Sequence, residues 1–322
     1  RNIASASTTD FKFTLNRAFN LGELSVGVDG YLASHDSVIT NPNNAMFEVV
    51  NFNHVKDERF AFFTEWQQQL NQTKIQLGIR FKHAKANADE ISTSMAMMSM
   101  PMTDMPVPDI GNEIDSGMNG DMSTSMGNMD DTSTMPMPSM VELASDLQNG
   151  FNNTNREVSD TNIDVALSTQ TQLSDALSLY IGVGMKSRAP SYQERYLWMP
   201  MEATGGLADG HTYIGGINLA SEIAYQSDIG LTYQTRQLMI VPHIFYQQIE
   251  DYIQGTPMKM ADMSAKMMAA MMAGDENPLQ FSNVDAKLYG ADINWYYKIN
   301  NSVQLSGIAS YVKGERRDIN DN

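Results

Sequence analysis

Ile75-Gln76-Leu77-Gly78-Ile79-Arg80-Phe81-Lys82 alternates apolar side chains with polar or small ones without a break. A period of two places the apolar four on one face of a β-strand and the rest on the other. Upstream, residues 58–70 also suit an extended strand, and Asn71-Gln72 supplies turn residues between the two runs. This segment predicts a hairpin of strands at 58–70 and 74–84.

The same alternation recurs at Leu24–Leu32, Ile163–Leu167, Leu177–Val183, Tyr289–Tyr297 and Val303–Tyr311. Ten strands are expected in all, at about 8–17, 23–35, 58–70, 74–84, 158–172, 176–188, 222–235, 238–253, 283–298 and 302–316. Many exceed the ~5–6 residues usual in soluble sheets. They match the ~9–11 residues that a tilted strand needs to cross a bilayer. Short turns are expected near Asn20-Leu21-Gly22, Asn71-Gln72, Ser174-Asp175, Thr235-Arg236-Gln237 and Asn300-Asn301, and long links over 36–57, 85–157, 189–221 and 254–282. Short and long links strictly alternate, as in outer-membrane barrels with short periplasmic turns and long extracellular loops. Phe11, Phe19, Tyr31, Phe60, Trp66, Tyr180, Tyr233 and Tyr252 lie near strand ends and suit membrane-interface girdles.

The fold class expected is therefore all-β, a transmembrane antiparallel β-barrel. A large soluble β protein with loop insertions is the competing reading, but it offers no reason for every long link to fall at one end. An open sheet edge is not viable in lipid, so further strands are expected outside this chain. Residues 1–322 read as part of one barrel, with no initiator Met at Arg1 and a C-terminus directly after a strand-like run. No run approaches the ~20 apolar residues of a transmembrane helix.

The chain holds 25 Met and no Cys, at a formal net charge of −17. Such a charge repels nucleic acid, which is not an expected partner, and it concentrates cations. Lack of Cys excludes disulfides, thiolate zinc sites and Cys nucleophiles. No Gly-x-Ser-x-Gly elbow, His-Glu-x-x-His helix or Gly-rich phosphate loop is present, so an enzyme is not expected.

Most methionines fall in two expected extracellular loops. In 95–140 stand Met95, Met97, Met98, Met100, Met102, Met105, Met118, Met122, Met126, Met129, Met135, Met137 and Met140, mixed with Ser, Thr, Asp, Gly and Pro. That mixture does not suit a packed core. Thioethers are soft and do not titrate, so neighbouring ones can gather around Cu(I). Asp104, Asp109, Asp115, Asp121, Asp130 and Asp131 add oxygens suited to Cu(II). The bland alternative is a low-complexity loop with no binding role.

In 258–277 stand Met258, Met260, Met263, Met267, Met268, Met271 and Met272 among Ala and Lys, which favour a short helix. Met263, Met267 and Met271, four residues apart, share a helix face. Two readings stay open for that face, a core stripe and a ligand array that passes copper inward. Met199, Met201 and His211 are candidates for a mixed site if their loop folds back. His35, His54, His83 and His243 read as solvated or interface histidines, with His243 toward the lumen and Pro242 marking irregular pairing. Glu194-Arg195 suggests a rim salt bridge.

Lys186-Ser187-Arg188-Ala189-Pro190-Ser191-Tyr192-Gln193-Glu194-Arg195-Tyr196 contains an Arg-x-Pro-Ser-Tyr-x-Glu run, and Gly215-Gly216-Ile217-Asn218-Leu219-Ala220-Ser221-Glu222 leads into a strand. Both resemble the barrels of TonB-dependent outer-membrane receptors, although Gly216 and Ser221 depart from the usual Asn and Pro. With the Met clusters, and Ser34-His35-Asp36 ahead of Asn41-Pro42-Asn43-Asn44, the chain looks most like their copper-receptor branch, the OprC/NosA type. The resemblance covers nearly all of the chain outside 95–140 and 258–277. It implies a 22-stranded barrel, a plug domain and a TonB box outside this chain, outer-membrane lipid and the TonB energy-coupling complex as partners, and copper or a copper chelate as cargo. The branch's His-x-Met pair has no counterpart here, which implies that its copper site lies upstream. A siderophore receptor, or a copper-sequestering surface protein without transport, are the alternatives.

Overall fold

The computed structural model describes residues 1–97, 138–201, 209–259 and 262–318. Eleven strands form one sheet: β1 (Asn2–Phe19), β2 (Gly22–Asn41), β3 (Asn44–Leu70), β4 (Thr73–Asn87), β5 (Val158–Ser174), β6 (Leu177–Arg188), β7 (Tyr213–Ile214), β8 (Glu222–Gln234), β9 (Leu238–Pro257), β10 (Leu279–Lys298) and β11 (Gln304–Arg316). Apart from β7, which pairs in parallel with β10, they form an antiparallel meander in sequence order. These ten are the strands expected from the alternation. The expected hairpin is present, with Gln68 opposite Ile75 and Phe62 opposite Phe81.

The two faces divide by parity. On β8, Tyr225, Ile229, Leu231 and Tyr233 are exposed and apolar, while Asp228 and Gly230 point to the other face. Ile244 and Tyr246 on β9 and Trp295 and Tyr297 on β10 continue the apolar face. The polar face carries ion pairs between strands, such as Arg80 to Asp29 at 2.5 Å and Lys82 to Asp164 at 2.8 Å. An apolar outside and a polar inside are what a membrane barrel wall requires. The parity corrects two girdle assignments. Tyr31 lies beside the Arg59 guanidinium on the polar face, 6.0 Å from it. Tyr180 pairs with Gly230, also on that face.

The link expected at 36–57 is instead strand. β2 and β3 continue to a tight tip at Pro42-Asn43, so β3 alone has 27 residues. Register shifts between His35 and Val38, and a positive φ of 45° at His54, interrupt the regular pairing of this tall hairpin. Segment 88–95 runs along its side, with Val50 N–H donating to the Ser92 carbonyl at 2.9 Å and Asp89 N–H to Asn53 at 2.9 Å.

Among the described residues, the other long links hold four helices: α1 (Ser94–Met97), α2 (Met140–Asn152), α3 (Tyr192–Tyr196) and α4 (Met263–Ala273). The sequence reading anticipated α4 alone. Two of the others begin with capping boxes, Ser139 with Glu142 and Ser191 with Glu194, each Ser hydroxyl accepting from the Glu N–H while the Glu carboxylate accepts from the Ser N–H. α4 ends on Gly274, whose φ of 65° is the left-handed conformation that glycine adopts without strain. Asn152 locks α2 to the preceding segment through two 2.9 Å bonds with Ile91, one to its N–H and one to its carbonyl.

Ser139→Ala removes the side-chain cap of α2 and should cost about 1 kcal/mol locally. Hydrogen exchange should be faster over 140–152 in the variant, with β4 and β5 unchanged. Equal protection in both proteins would mean that packing, not the cap, holds this helix.

Candidate metal-capture site

The loop segments converge on one apolar cluster. Ile39, Val49, Phe52 and Val55 come from the tall hairpin, Ile91 and Met95 from the segment beside it, and Leu143, Ala144 and Phe151 from α2. Tyr196, Leu197, Trp198, Met199 and Met201 follow from α3 onward, with Tyr213 from β7 and Met268 from α4. Trp198 donates its indole N–H to the Val50 carbonyl at 3.0 Å, and Tyr196 its hydroxyl to the Arg156 carbonyl at 2.8 Å. Burial pushes the Tyr196 hydroxyl well above its ordinary pKa. It therefore stays a neutral donor.

Methionines from four separate segments meet here. Met95, Met199, Met201 and Met268 are buried, while Met140, Met267 and Met272 are half-buried and packed against them. α4 carries the two kinds side by side. Its inner face buries Ala265, Met268 and Ala269 against α2, and Ser264 donates to Asp146 at 3.1 Å. Its outer face exposes Met263 at 39% and Met271 at 50%. Met267 bridges the two faces. The stripe Met263–Met267–Met271 is therefore not the helix's core stripe; Met268 and Met272, with the alanines, take that part.

Met258 is half-buried and lines a cavity between α2 and α4 with Asp146, Asp262, Ser264 and Gln280. Met97 closes α1. Met98, Met100, Met102, Met105, Met118, Met122, Met126, Met129, Met135, Met137 and Met260, with the six Asp of the first loop, lie outside the described residues.

His211 faces Asp275, with Nδ1 3.5 Å from Oδ1. Burial works against charge on Asp275, but the N–H groups of Thr212 and Asn277 and the Thr212 hydroxyl hold its carboxyl below the usual carboxylate range. His35 stacks on Tyr192 at 3.9 Å, His54 lies 3.7 Å from Asp36 and from Asp89, and His83 meets Thr161 at 3.0 Å. Each fits an interface or solvated role.

Glu194 and Arg195 do not pair with each other. Glu194 and Glu222 both grip Arg188, at 2.8 and 2.7 Å, while buried Arg195 reaches Asp160 at 2.6 Å and the Ile217 carbonyl at 2.6 Å. Adjacent residues on a short helix point in different directions, so the two partners differ. Burial disfavours charge on Glu194, yet Arg188 and the Ser191 N–H outweigh it and keep its carboxyl below the usual range. The Arg-x-Pro-Ser-Tyr-x-Glu run is thus a hinge of charge and cap: Arg188 ends β6, Ser191 caps α3, and Glu194 ties them together. The sequence reading missed Ser139 and Ser191, although the Ser-x-x-Glu spacing was there to read.

Among solved structures, a copper transporter, OprC, superposes with a TM-score of 0.63 at 14% identity, over 98% of this chain and 38% of that one. An iron transporter, FrpB, from Neisseria meningitidis gives 0.55 at 11%, over 98% and 36%. The siderophore receptor PirA from Pseudomonas aeruginosa gives 0.51 at 10%, over 98% and 51%. These likenesses show a shared fold, and the chain spans about a third to a half of those lengths. No curated protein matches in sequence. The model of the TonB dependent receptor-like β-barrel family matches residues 1–322, and the chain belongs to that family.

Proposed function

We propose that this chain is the wall and extracellular cap of an outer-membrane receptor that takes up copper, or a copper chelate, through TonB coupling, with thioethers of the cap capturing Cu(I). The observation that carries this reading is the outer face of α4. Met263 and Met271 stand in water although the same helix buries Met268, and Met267 links them to the sulfur-rich cluster beneath. Residues four apart on a helix lie on one face within reach of each other, so flexible thioethers there can share one soft ion. Met95–Met140 and Met258–Met260 repeat the same ligand type elsewhere in the chain. Aspartates in the first loop offer oxygens for Cu(II). Likeness in fold to a copper transporter supports the copper assignment.

The second reading is a siderophore receptor whose methionines are incidental, favoured by the likeness to an iron transporter and a siderophore receptor. The two differ in what the cap binds.

In the full-length receptor, Met263→Leu/Met267→Leu/Met271→Leu keeps size and helix propensity and removes three sulfurs. Cu(I) affinity measured by chelator competition should fall by about tenfold or more, while Zn(II) binding stays unchanged because zinc prefers N, O and thiolate donors. Unchanged Cu(I) affinity would favour the siderophore reading. Binding should persist to about pH 4. Thioethers do not titrate, and the depressed Glu194 carboxyl keeps its stabilising contacts above the unfolded carboxylate pKa of ~4.3 and loses them only as pH falls through its lower folded value. Loss of binding between pH 6 and 4.5 would mean that imidazole or carboxylate ligands dominate.

Deleting 98–137 tests whether the first loop is an antenna. Loop closure costs depend weakly on length, so the wall should assemble normally. Uptake of radioactive copper should drop when copper is scarce and recover when it is abundant. An equal loss at both concentrations would place the loop on the obligatory path.

A further inference from the structure

His243 is the sixth residue of β9, and each of its two ring nitrogens faces its own carboxylate. Its backbone pairs with Gly230 on β8 and with Asp292 on β10. All three side-chain positions belong to the polar face, since the neighbouring Ile244, Ile229 and Trp295 are exposed on the apolar one. Gly230 has no side chain, so the flank of the imidazole toward β8 is open, and Asp228 reaches it diagonally from two residues along. Pro242 next door has no N–H to give. The β8–β9 ladder accordingly skips from Gly230–His243 to Tyr233–Ile240 while keeping its register.

The two ring nitrogens face two different carboxylates. Nδ1 is 3.0 Å from Asp292 Oδ2, a hydrogen bond. An ionised carboxylate only accepts, so Nδ1 carries the proton. Nε2 then aims its other side at Asp228 Oδ1, 3.6 Å away. That separation is too long for a hydrogen bond. It is close to the spacing of two donors on one ion: bonds of 2.0–2.2 Å at a tetrahedral angle leave N and O roughly 3.4 Å apart. A carboxylate that fixes the tautomer of a histidine whose other nitrogen holds a metal is the usual outer-shell arrangement of metal sites. Phe245 lies beside the ring, with 6.2 Å between centroids and 24° between the ring planes.

We propose that His243 Nε2 and Asp228 Oδ1 are protein ligands of a divalent metal ion, Cu(II) or Zn(II), held on the polar wall of the barrel, with Asp292 as the positioning residue for the imidazole. No three His, Cys, Asp or Glu side chains of the described residues converge on one point. The pair is thus a two-donor site whose remaining positions fall to water or to another part of the receptor, and such an open site suits an ion in passage better than a structural one. One imidazole nitrogen and one carboxylate oxygen select borderline ions rather than Cu(I). The inference does not depend on the thioether cap, and it concerns a different oxidation state and a different depth.

The test uses the full-length receptor in detergent with Zn(II), which the thioethers ignore, counted by equilibrium dialysis. His243→Gln and Asp228→Asn should each bind one Zn(II) fewer per chain than the wild type. Asp292→Asn should keep the count and weaken this site by about 10–100-fold, as loss of an outer-shell partner does. In parallel, electron paramagnetic resonance with Cu(II) should show a nitrogen coupling that His243→Gln removes. Heat-resistant migration of the barrel checks folding, and Asp228→Asn, which preserves shape, carries the test alone if the histidine variant fails to fold. Equal Zn(II) counts and unchanged Cu(II) spectra in both ligand variants would overturn the proposal and leave a protonated imidazole bridging two carboxylates. Cu(I) capture by the cap is scored separately, so failure here and failure of the copper reading are distinguishable.

Discussion

Backbone hydrogen bonding between sequence neighbours is the constraint on which the rest depends. In hydrocarbon, an unpaired N–H or carbonyl costs several kcal/mol, so every strand must find partners along its length. A meander meets that need with the least chain, and β1 to β6 and β8 to β11 obey it without a crossover. Once the ladder is in place, side chains have only two directions to point. Apolar residues such as Ile229 and Ile244 take the outer one, and Asp29, Arg80, Asp164 and Asp228 take the inner one. The loop segments then inherit their positions from strand ends that are already fixed.

What stands above the wall is held by a different logic. The cluster around Tyr196, Trp198 and Met199 draws side chains from segments more than a hundred residues apart, and polar clamps align them: Asn152 on Ile91, Trp198 on Val50, Arg188 between Glu194 and Glu222. The arrangement separates duties within one short helix. Met268 contributes to packing, whereas Met263 and Met271 are left to solvent. A flexible thioether can serve in either setting, which is why residue type alone did not divide them.

The strands were legible because a period of two in lipid admits one reading, and Ile75–Lys82 carried it in eight residues. Height was not. Residues 36–57 hold His, Asp, Asn and Pro in no clean alternation, because bulges at His35–Val38 and His54 shift the pattern, so a continuous hairpin looked like a loop. α2 was hidden by its neighbours: the mixed composition before it masked a Ser-x-x-Glu cap that was plain in itself. For the proposed site, the sequence singled out the thioethers and the two segments that carry them. The division between buried and exposed sulfurs came only from packing against α2. His243, expected toward a lumen, lies on the polar face, but its two aspartates lie 15 and 49 residues away and become neighbours only through strand pairing.

The ion pairs of the polar face also shape the path that an ion would take. Arg59, Arg80, Lys82 and Arg188 each have a carboxylate within 2.8 Å. The wall around them therefore presents dipoles rather than a standing positive potential. Fields of paired charges fade within a few ångströms, whereas a bare guanidinium would project across a water-filled lumen until salt screened it. These four cations therefore add little long-range repulsion toward another cation near this face.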